Sequence, residues 1–507
     1  MRRASSIIRP PDIPSGQRRA PLALLLLAAC SGPCSGPEPE IQQPDVLFLV
    51  VDTLRADRLG SYGYERGLTP VMDKLAREGS VFSRASAQAP WTVPSMCSML
   101  TSQYPTAHYE RPDESRMTLA EAFQSAGYST VGVVANALLD PGTGFERGFD
   151  VYIPREGEDG KRKTPGHFDA VASWVDDALV SALARDENGK RKPLFLYAQP
   201  SDPHAPYKGR QAFLADQPVS SAPPILPEGW QEQMLAARGP AAPDDDPNWG
   251  TALHTIQRQR NAYDHEVRFT DAALGRLLDR LRELGAADNL LVVIASDHGE
   301  ELWENVAAAP ADRLKEMPPN AFFFQSHGYH LAEQALRTPL ILSGPGVPAG
   351  KKFSEPVENV DIFPTLVSLC GLERPGDLHG LDLTGLMQER VDPGDWRLET
   401  YSYVIHAFSL RDEASGLKLI LPTPYGMKRG LTRPQLFDLN QDPLERTNLV
   451  ERRPEDASRL TTRLMEYLER YDSGGASLDG AGTEEMLRRM QEMGYAGLLV
   501  GEDQENQ

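Results

Sequence analysis

Three short runs of this chain, residues 45–51, 193–198 and 290–295, are apolar at almost every position and rich in β-branched residues. A strand with one wet face alternates apolar and polar side chains, whereas a strand buried on both faces has no polar beat. Helical patterns lie between the runs, at residues 70–78, 118–126 and 267–284. Strands alternating with helices predict an α/β fold in which a mostly parallel sheet is sandwiched by helices. A further strand over residues 339–342 is stopped by Ser343-Gly344-Pro345-Gly346.

The pattern changes after Asp382. Strand-like pieces at 401–404, 417–421 and 435–438 precede one amphipathic helix, 454–471, which predicts a small C-terminal α+β subdomain. The 507 residues are enough for a large domain plus a smaller one. The expected organisation is a catalytic domain over 45–385, a subdomain over 386–472, and a flexible link with a terminal helix over 473–507. Residues 218–249 and 306–324 read as loop insertions.

The N-terminus carries an address. Arg18 and Arg19 precede an apolar run over 21–29 that is too short to span a bilayer. The run ends in Leu27-Ala28-Ala29-Cys30, which resembles a bacterial lipobox. By that resemblance residues 1–30 are a signal peptide and Cys30 becomes a lipidated first residue. An ordinary signal peptide cleaved nearby is the alternative. Residues 31–44, rich in Pro, Ser, Gly, Glu and Gln, read as a tether. The expectation is an exported lipoprotein of the bacterial cell envelope, held to the membrane by its lipid.

A net charge of −20 argues against a nucleic-acid binder, which needs a basic face. It does not argue against a small anionic substrate, because a bound metal reverses the local sign. None of Cys30, Cys34, Cys97 and Cys370 forms a CxxC pair, so neither a zinc ribbon nor a redox motif is indicated. Nothing in the spacing supports a Cys97–Cys370 disulfide.

Each buried run leads into polar residues: Asp52-Thr53 after the first, Asp202-Pro203-His204 after the second, Ser296-Asp297-His298-Gly299-Glu300 after the third. In a parallel sheet all three emerge at the carboxyl edge, where ligands bind. Two carboxylates and an imidazole meeting there suit a divalent metal such as zinc or manganese. A lone aspartate after a strand is usually a cap or turn residue, so the conjunction carries the reading. Thr92 precedes Pro94, and a helix over 94–100 would place Thr92 at its N-terminus, where free N–H groups favour an anion. A plain N-cap threonine would look the same.

These stretches, in this order, resemble the sulfatase family of the alkaline-phosphatase superfamily. The resemblance runs through Val50-Val51-Asp52-Thr53-Leu54-Arg55, residues 60–64, 202–207 and 296–300, and Leu336-Arg337-Thr338-Pro339-Leu340. It ends with Leu436-Phe437-Asp438-Leu439 through Asn448-Leu449, so it covers about residues 45–471. It implies a metal-dependent ester hydrolase with Asp52, Thr92, Asp297 and His298 at the metal and nucleophile positions. It puts His204 and His327 on the substrate, a second metal or the leaving group, and makes Asn136 and His330 substrate-binding candidates. Thr53 stands where many members have a further metal-binding aspartate. One or two ions are implied, zinc or manganese first, with calcium open. The partner is a small anionic ester or an envelope glycan or lipid.

One departure matters. Sulfatases proper carry Cys-x-Pro-Ser-Arg, whose cysteine becomes formylglycine; here the stretch reads Thr92-Val93-Pro94-Ser95-Met96. Threonine does not give that aldehyde, but related phosphodiesterases and phosphotransferases use it as a nucleophile. The expectation is therefore ester hydrolysis by Thr92, with phosphoesters favoured. A phospho-headgroup transferase and an inactive binding protein are the alternatives. Glu300 and Glu301 read as solvated or capping residues, and Asp264 and Glu266 as charges opening a helix. His108, His167, His254, His265, His379 and His406 read as structural or surface residues.

Overall fold

The computed structural model describes residues 43–105, 111–154, 176–207, 249–302, 327–376, 378–423 and 434–471. Cys30, most of the tether and of the 218–249 insertion, the whole 306–324 insertion, His108, His167 and the terminal helix at 484–493 lie outside the described residues. No helix among the described residues is long and apolar enough to cross a membrane.

The three apolar runs form β1 (Asp45–Val50), β5 (Leu194–Gln199) and β6 (Leu290–Ala295). The other strands of the large sheet are β2 (Ser80–Ser86), β3 (Ser129–Val134), β4 (Val151–Ile153), β7 (Arg337–Thr338), β8 (Leu340–Ser343) and β9 (Lys351–Glu358). The order is β4-β3-β5-β1-β6-β8-β2-β7, with β9 beside β2. The stretch from β4 to β6 is parallel throughout. The expected strand at 339–342 is present as β8 but runs antiparallel to β6, as β2 does to β8.

Burial on both faces explains the missing polar beat. Val46, Phe48 and Val50 of β1 enter one core; Leu47, Leu49 and Val51 enter the other. β6 splits the same way, Leu291 and Val293 against Val292 and Ile294. The first face is covered by α2 (Thr92–Thr101), α3 (Leu119–Ser125) and α6 (Ile362–Leu369). The second is covered by α1 (Pro70–Glu78) and α4 (Trp249–Glu283). Helix α3 opens on a capping box: Thr118 Oγ1 accepts from Glu121 N at 3.2 Å and Glu121 Oε2 from Thr118 N at 2.7 Å. The N-terminus of α1 is satisfied from outside, by buried Asp271 of α4, which accepts from Val71 N and Met72 N at 3.1 and 2.9 Å.

Helix α4 begins well before the expected residue 267. Asp264 and Glu266 are therefore mid-helix and buried, not opening charges. Asp264 accepts from the Tyr64 hydroxyl at 2.6 Å and pairs with Arg66.

The antiparallel C-terminal sheet comprises β10 (Glu399–Val404), β11 (Ala407–Asp412), β12 (Leu417–Pro422) and β13 (Gln435–Asp438). Helix α7 (Pro454–Tyr471) packs Leu460, Leu464 and Tyr467 on its Leu410, Leu419 and Leu436. Leu383, Leu386 and Trp396, which precede this sheet, pack into the larger core.

A buried cation ties the small sheet to the large domain. Lys418 of β12 is 1% exposed; its ammonium contacts Glu333 Oε1 and Glu445 Oε1, each at 2.9 Å, and donates to Leu331 O. Glu333 opens the short helix α5 (Glu333–Leu336) and also pairs with Arg411 at 2.6 Å. Burial alone would discharge Lys418, but the two carboxylates outweigh it and hold the ammonium charged. Lys418→Met leaves Glu445 buried without its cation and Glu333 with Arg411 alone, and is expected to cost about 3 kcal/mol of unfolding free energy in urea titration. A midpoint shift no larger than that of an exposed lysine would show that the pair contributes nothing.

Candidate active site

The carboxyl ends of the parallel strands converge as the pattern requires. Chain exit from β1 delivers Asp52, exit from β6 delivers Asp297 and His298, and all three are fully buried. One ligand atom from each lies within 4.8 Å of the others, the one such group among the described residues. His298 Nε2 is 3.5 Å from Asp297 Oδ2 and 3.8 Å from Asp52 Oδ1.

The surroundings hold these groups from behind. Asp297 Oδ1 accepts from the backbone N–H groups of Thr53 and His298 at 3.2 and 2.9 Å. Gln199, at the end of β5, reaches Asp297 Oδ2 at 3.4 Å. Ser95 Oγ and Asn359 Nδ2 both donate to the Asp297 carbonyl. His298 Nδ1 lies 2.8 Å from the Gly299 carbonyl, which fixes the ring proton there and leaves a lone pair on Nε2. Thr53 does not take the role of a further ligand: at φ 59° its hydroxyl turns back to donate to the Asp52 carbonyl at 2.7 Å.

The arrangement fits a divalent cation. Asp52 Oδ1 is buried and has no hydrogen-bond partner. Burial, with Asp297 close by, pushes the Asp52 carboxyl well above its usual range. Burial also raises Asp297, against the pull of His298. Burial lowers His298 to about 3, so its imidazole is neutral, the form that ligates. Two buried carboxylates and a neutral imidazole facing one point are costly without a cation and favourable with one.

Thr92 is brought beside this triad. It is the first residue of α2 and is 2% exposed; Trp91 is the N-cap. The alternative of a plain N-cap threonine does not hold: the threonine side chain makes no cap bond, and Pro94 falls within the first turn, where its missing N–H costs nothing. Thr92 Oγ1 lies 3.4 Å from His298 Nε2 and accepts from Asn136 Nδ2 at 3.2 Å. The same Asn136 amide donates to Asp52 Oδ2 at 2.8 Å, and its Oδ1 accepts from Leu138 N at 3.0 Å. Asn136 therefore bridges the triad and the hydroxyl in one fixed orientation.

The histidines form a second layer. The His204 and His327 ring centroids are 4.9 Å apart, those of His327 and His298 4.5 Å. His204 Nδ1 is 2.6 Å from the Ala205 carbonyl. His327 Nδ1 is 3.0 Å from Glu300 Oε1. His330 turns away: its Nε2 meets Glu301 Oε2 at 2.5 Å and its Nδ1 accepts from Ala332 N at 3.3 Å. Burial lowers His327 to about 3. Burial would lower His330 too, but the Glu301 carboxylate outweighs it. Glu300 and Glu301 are buried, not solvated as expected. Burial lifts Glu300 to about 7, opposed by His204 and Tyr207.

Gln199, Ser95, Asn359 and Glu300 are the residues that sequence reading missed as site partners. Only Gln199 had a usable signal, its place at the end of a buried run. Cys97 and Cys370 are free and buried.

A mostly parallel sheet with helices on both faces and an Asp-Asp-His cluster at its carboxyl edge is the frame of an alkaline-phosphatase-like ester hydrolase, and the family models agree. A sulfatase family model matches residues 44–372, and a model for the C-terminal part of N-sulphoglucosamine sulphohydrolase matches residues 324–473. The chain belongs to the sulfatase family. It is 28% identical to a sulfatase of Formosa agariphila, over 76% of this chain and 81% of that one. It is 25% identical to an N-acetylglucosamine-6-O-sulfatase of Bacteroides thetaiotaomicron, over 89% of each. Among solved structures, the phosphonate monoester hydrolase of Agrobacterium radiobacter shares the fold with a TM-score of 0.60 at 19% identity, covering 85% of this chain and 96% of that one.

Proposed function

We propose that the chain is a metal-dependent hydrolase of anionic esters in which Thr92 is the nucleophile. The observation that carries this reading is the Thr92 hydroxyl beside the triad, 3.4 Å from His298 Nε2 and 3.2 Å from Asn136 Nδ2. Asp52, Asp297 and His298 would hold zinc or manganese, which when bound supplies Lewis-acid charge beside that hydroxyl.

The residues divide the work. Asn136 donates to Thr92 Oγ1, so the hydroxyl proton points away from it, toward the triad. Thr92 Oγ attacks the phosphorus or sulfur in line as its proton passes to a carboxylate of the triad, and the bond to the leaving oxygen breaks. The N–H groups that open α2 face the charge that gathers on the transferring group. His204, with Nδ1–H on the Ala205 carbonyl, gives the leaving oxygen its proton from Nε2 when the ring enters the step as the imidazolium. Water then breaks the Thr92 ester and frees the acid.

Phosphoesters are the first choice, because threonine attacks phosphorus without conversion to an aldehyde. A sulfated sugar is the second reading, favoured by the N-acetylglucosamine-6-O-sulfatase relative. By the lipobox-like Cys30 the chain is read as an envelope lipoprotein acting on an envelope glycan or lipid.

An aryl phosphate, an aryl phosphate diester and an aryl sulfate offered to the purified full chain with zinc or manganese test the preference. Turnover of either phosphoester at least about tenfold above the sulfate, a gap of about 1.4 kcal/mol in barrier, is the expected result. Turnover of the sulfate alone overturns the phosphoester preference and leaves the sulfated-sugar reading.

A further inference from the structure

Each carboxylate of the triad has one oxygen taken by hydrogen bonds of fixed direction. Asp52 Oδ2 accepts from Asn136 Nδ2 at 2.8 Å. That amide cannot turn round, because its Oδ1 accepts from the Leu138 N–H at 3.0 Å, and a main-chain N–H only donates. Asp297 Oδ1 accepts from two main-chain N–H groups, those of Thr53 and His298, at 3.2 and 2.9 Å. What is left to face one point is a single oxygen from each acid, Asp52 Oδ1 and Asp297 Oδ2, with His298 Nε2 at 3.8 and 3.5 Å from them.

The neutral oxygens close by are turned elsewhere. Asn136 shows the site its N–H₂ and keeps its oxygen on Leu138. Asn359 is set the same way: Nδ2 donates to the Ser296 carbonyl at 2.9 Å, and Oδ1 accepts from the Thr338 hydroxyl at 3.3 Å. Thr53 gives its hydroxyl to the Asp52 carbonyl at 2.7 Å. Its left-handed backbone, at φ 59° unfavourable for a β-branched residue, is held by its N–H on Asp297 and by the Tyr263 hydroxyl on its carbonyl at 2.7 Å.

Ions differ in what they need. Calcium takes about six to eight oxygens, from carboxylates that bind through one oxygen or both and from carbonyls. Zinc takes about four ligands, readily including imidazole nitrogen, and catalytic zinc sites use about three from the protein. We infer that Asn136 and Thr53 choose the ion: by limiting the site to one oxygen per carboxylate beside one imidazole nitrogen, they select zinc against calcium. The inference rests on the proposed metal site and adds which residues decide the metal.

Isothermal titration of the metal-stripped full chain, with zinc alone and with calcium alone, gives the ratio of the two dissociation constants without any turnover. In the wild type zinc binds at least about 100-fold more tightly than calcium. Asn136→Asp keeps the oxygen on Leu138 N and replaces the N–H₂ by an oxygen aimed at the site; Thr53→Asp adds a carboxylate at the turn. In each variant calcium binds at least about tenfold more tightly than in the wild type, and the ratio narrows. A merely structural role would weaken both ions together and leave the ratio unchanged. Thermal melts with zinc show which variants are folded. A wild type that takes calcium within about tenfold of zinc overturns the inference, and so does a ratio that the folded variants leave unchanged. A wild type that binds neither ion removes the proposed metal site and the inference with it. Failure of the threonine mechanism shows differently, as turnover that survives Thr92→Ala with the order of the ions intact.

Discussion

Thr92→Ala is expected to lower kcat by on the order of 10⁴-fold or more, while Thr92→Ser keeps measurable turnover. The hydroxyl is the part of the side chain that bonds to His298 and Asn136. The alanine variant removes the attacking oxygen and keeps the backbone of the first turn of α2. It makes no cap bond in the wild type, so no helix cap is lost and the fold should persist. Serine keeps the oxygen but not the methyl group, which limits rotation about χ1. Steady-state kinetics on an aryl phosphate, with circular dichroism to show folding, measures the loss. Trapping of a phosphorylated Thr92 peptide by acid quench and mass spectrometry tests the covalent step. Folded Thr92→Ala protein that turns over at more than about a tenth of the wild-type rate, a barrier change under about 1.4 kcal/mol, excludes the threonine as nucleophile.

The parts of the fold that were legible are those whose burial is symmetric. β1, β5 and β6 lie in the sheet interior with a core on each face, so their sequences carry no polar beat and stand out. β2 and β11 do not: Ser83 and Arg84 interrupt the first, and the second follows β10 after only Ile405-His406, with no glycine or asparagine to announce a turn. The antiparallel direction of β8 depends on how the chain returns from β6, which local pattern does not record. The extra length of α4 was hidden because Asp264 and Glu266 look like opening charges, whereas partners distant in sequence, such as Tyr64 and Arg66 on Asp264, bury them in mid-helix.

The site divides along the same line. Asp52, Asp297 and His298 follow directly from strands that could be read, so their meeting at one edge was predictable. Their supports were not, because Ser95, Asn359 and Gln199 reach Asp297 from elements whose relative position only the fold sets. Glu300 and Glu301 show the sharper failure. Adjacent glutamates in a loop are ordinarily solvated, and only the returning segment of His327 and His330 makes them interior.

Metal removal should reverse the stability order of two proteins. In the wild type with zinc or manganese at 100 times its dissociation constant, binding adds about 2.7 kcal/mol to unfolding free energy. Chelation removes that amount and takes turnover to background, and returning the ion restores both. Asp52→Asn is close to isosteric and keeps an oxygen to accept from Asn136, but it takes one negative charge from a group that is fully buried beside Asp297. With the ion present the variant binds it weakly and is the less stable protein. Without the ion, the wild type buries two carboxylates side by side and the variant only one, so the variant becomes the more stable of the two. Thermal melts of both proteins, each with metal and with chelator, read all four states. A wild type that melts at the same temperature in both conditions and keeps its turnover after chelation would show that Asp52, Asp297 and His298 hold no ion. An Asp52→Asn variant less stable than the wild type under both conditions would mean that the carboxylate is retained for its hydrogen bond to Asn136 and not for a cation.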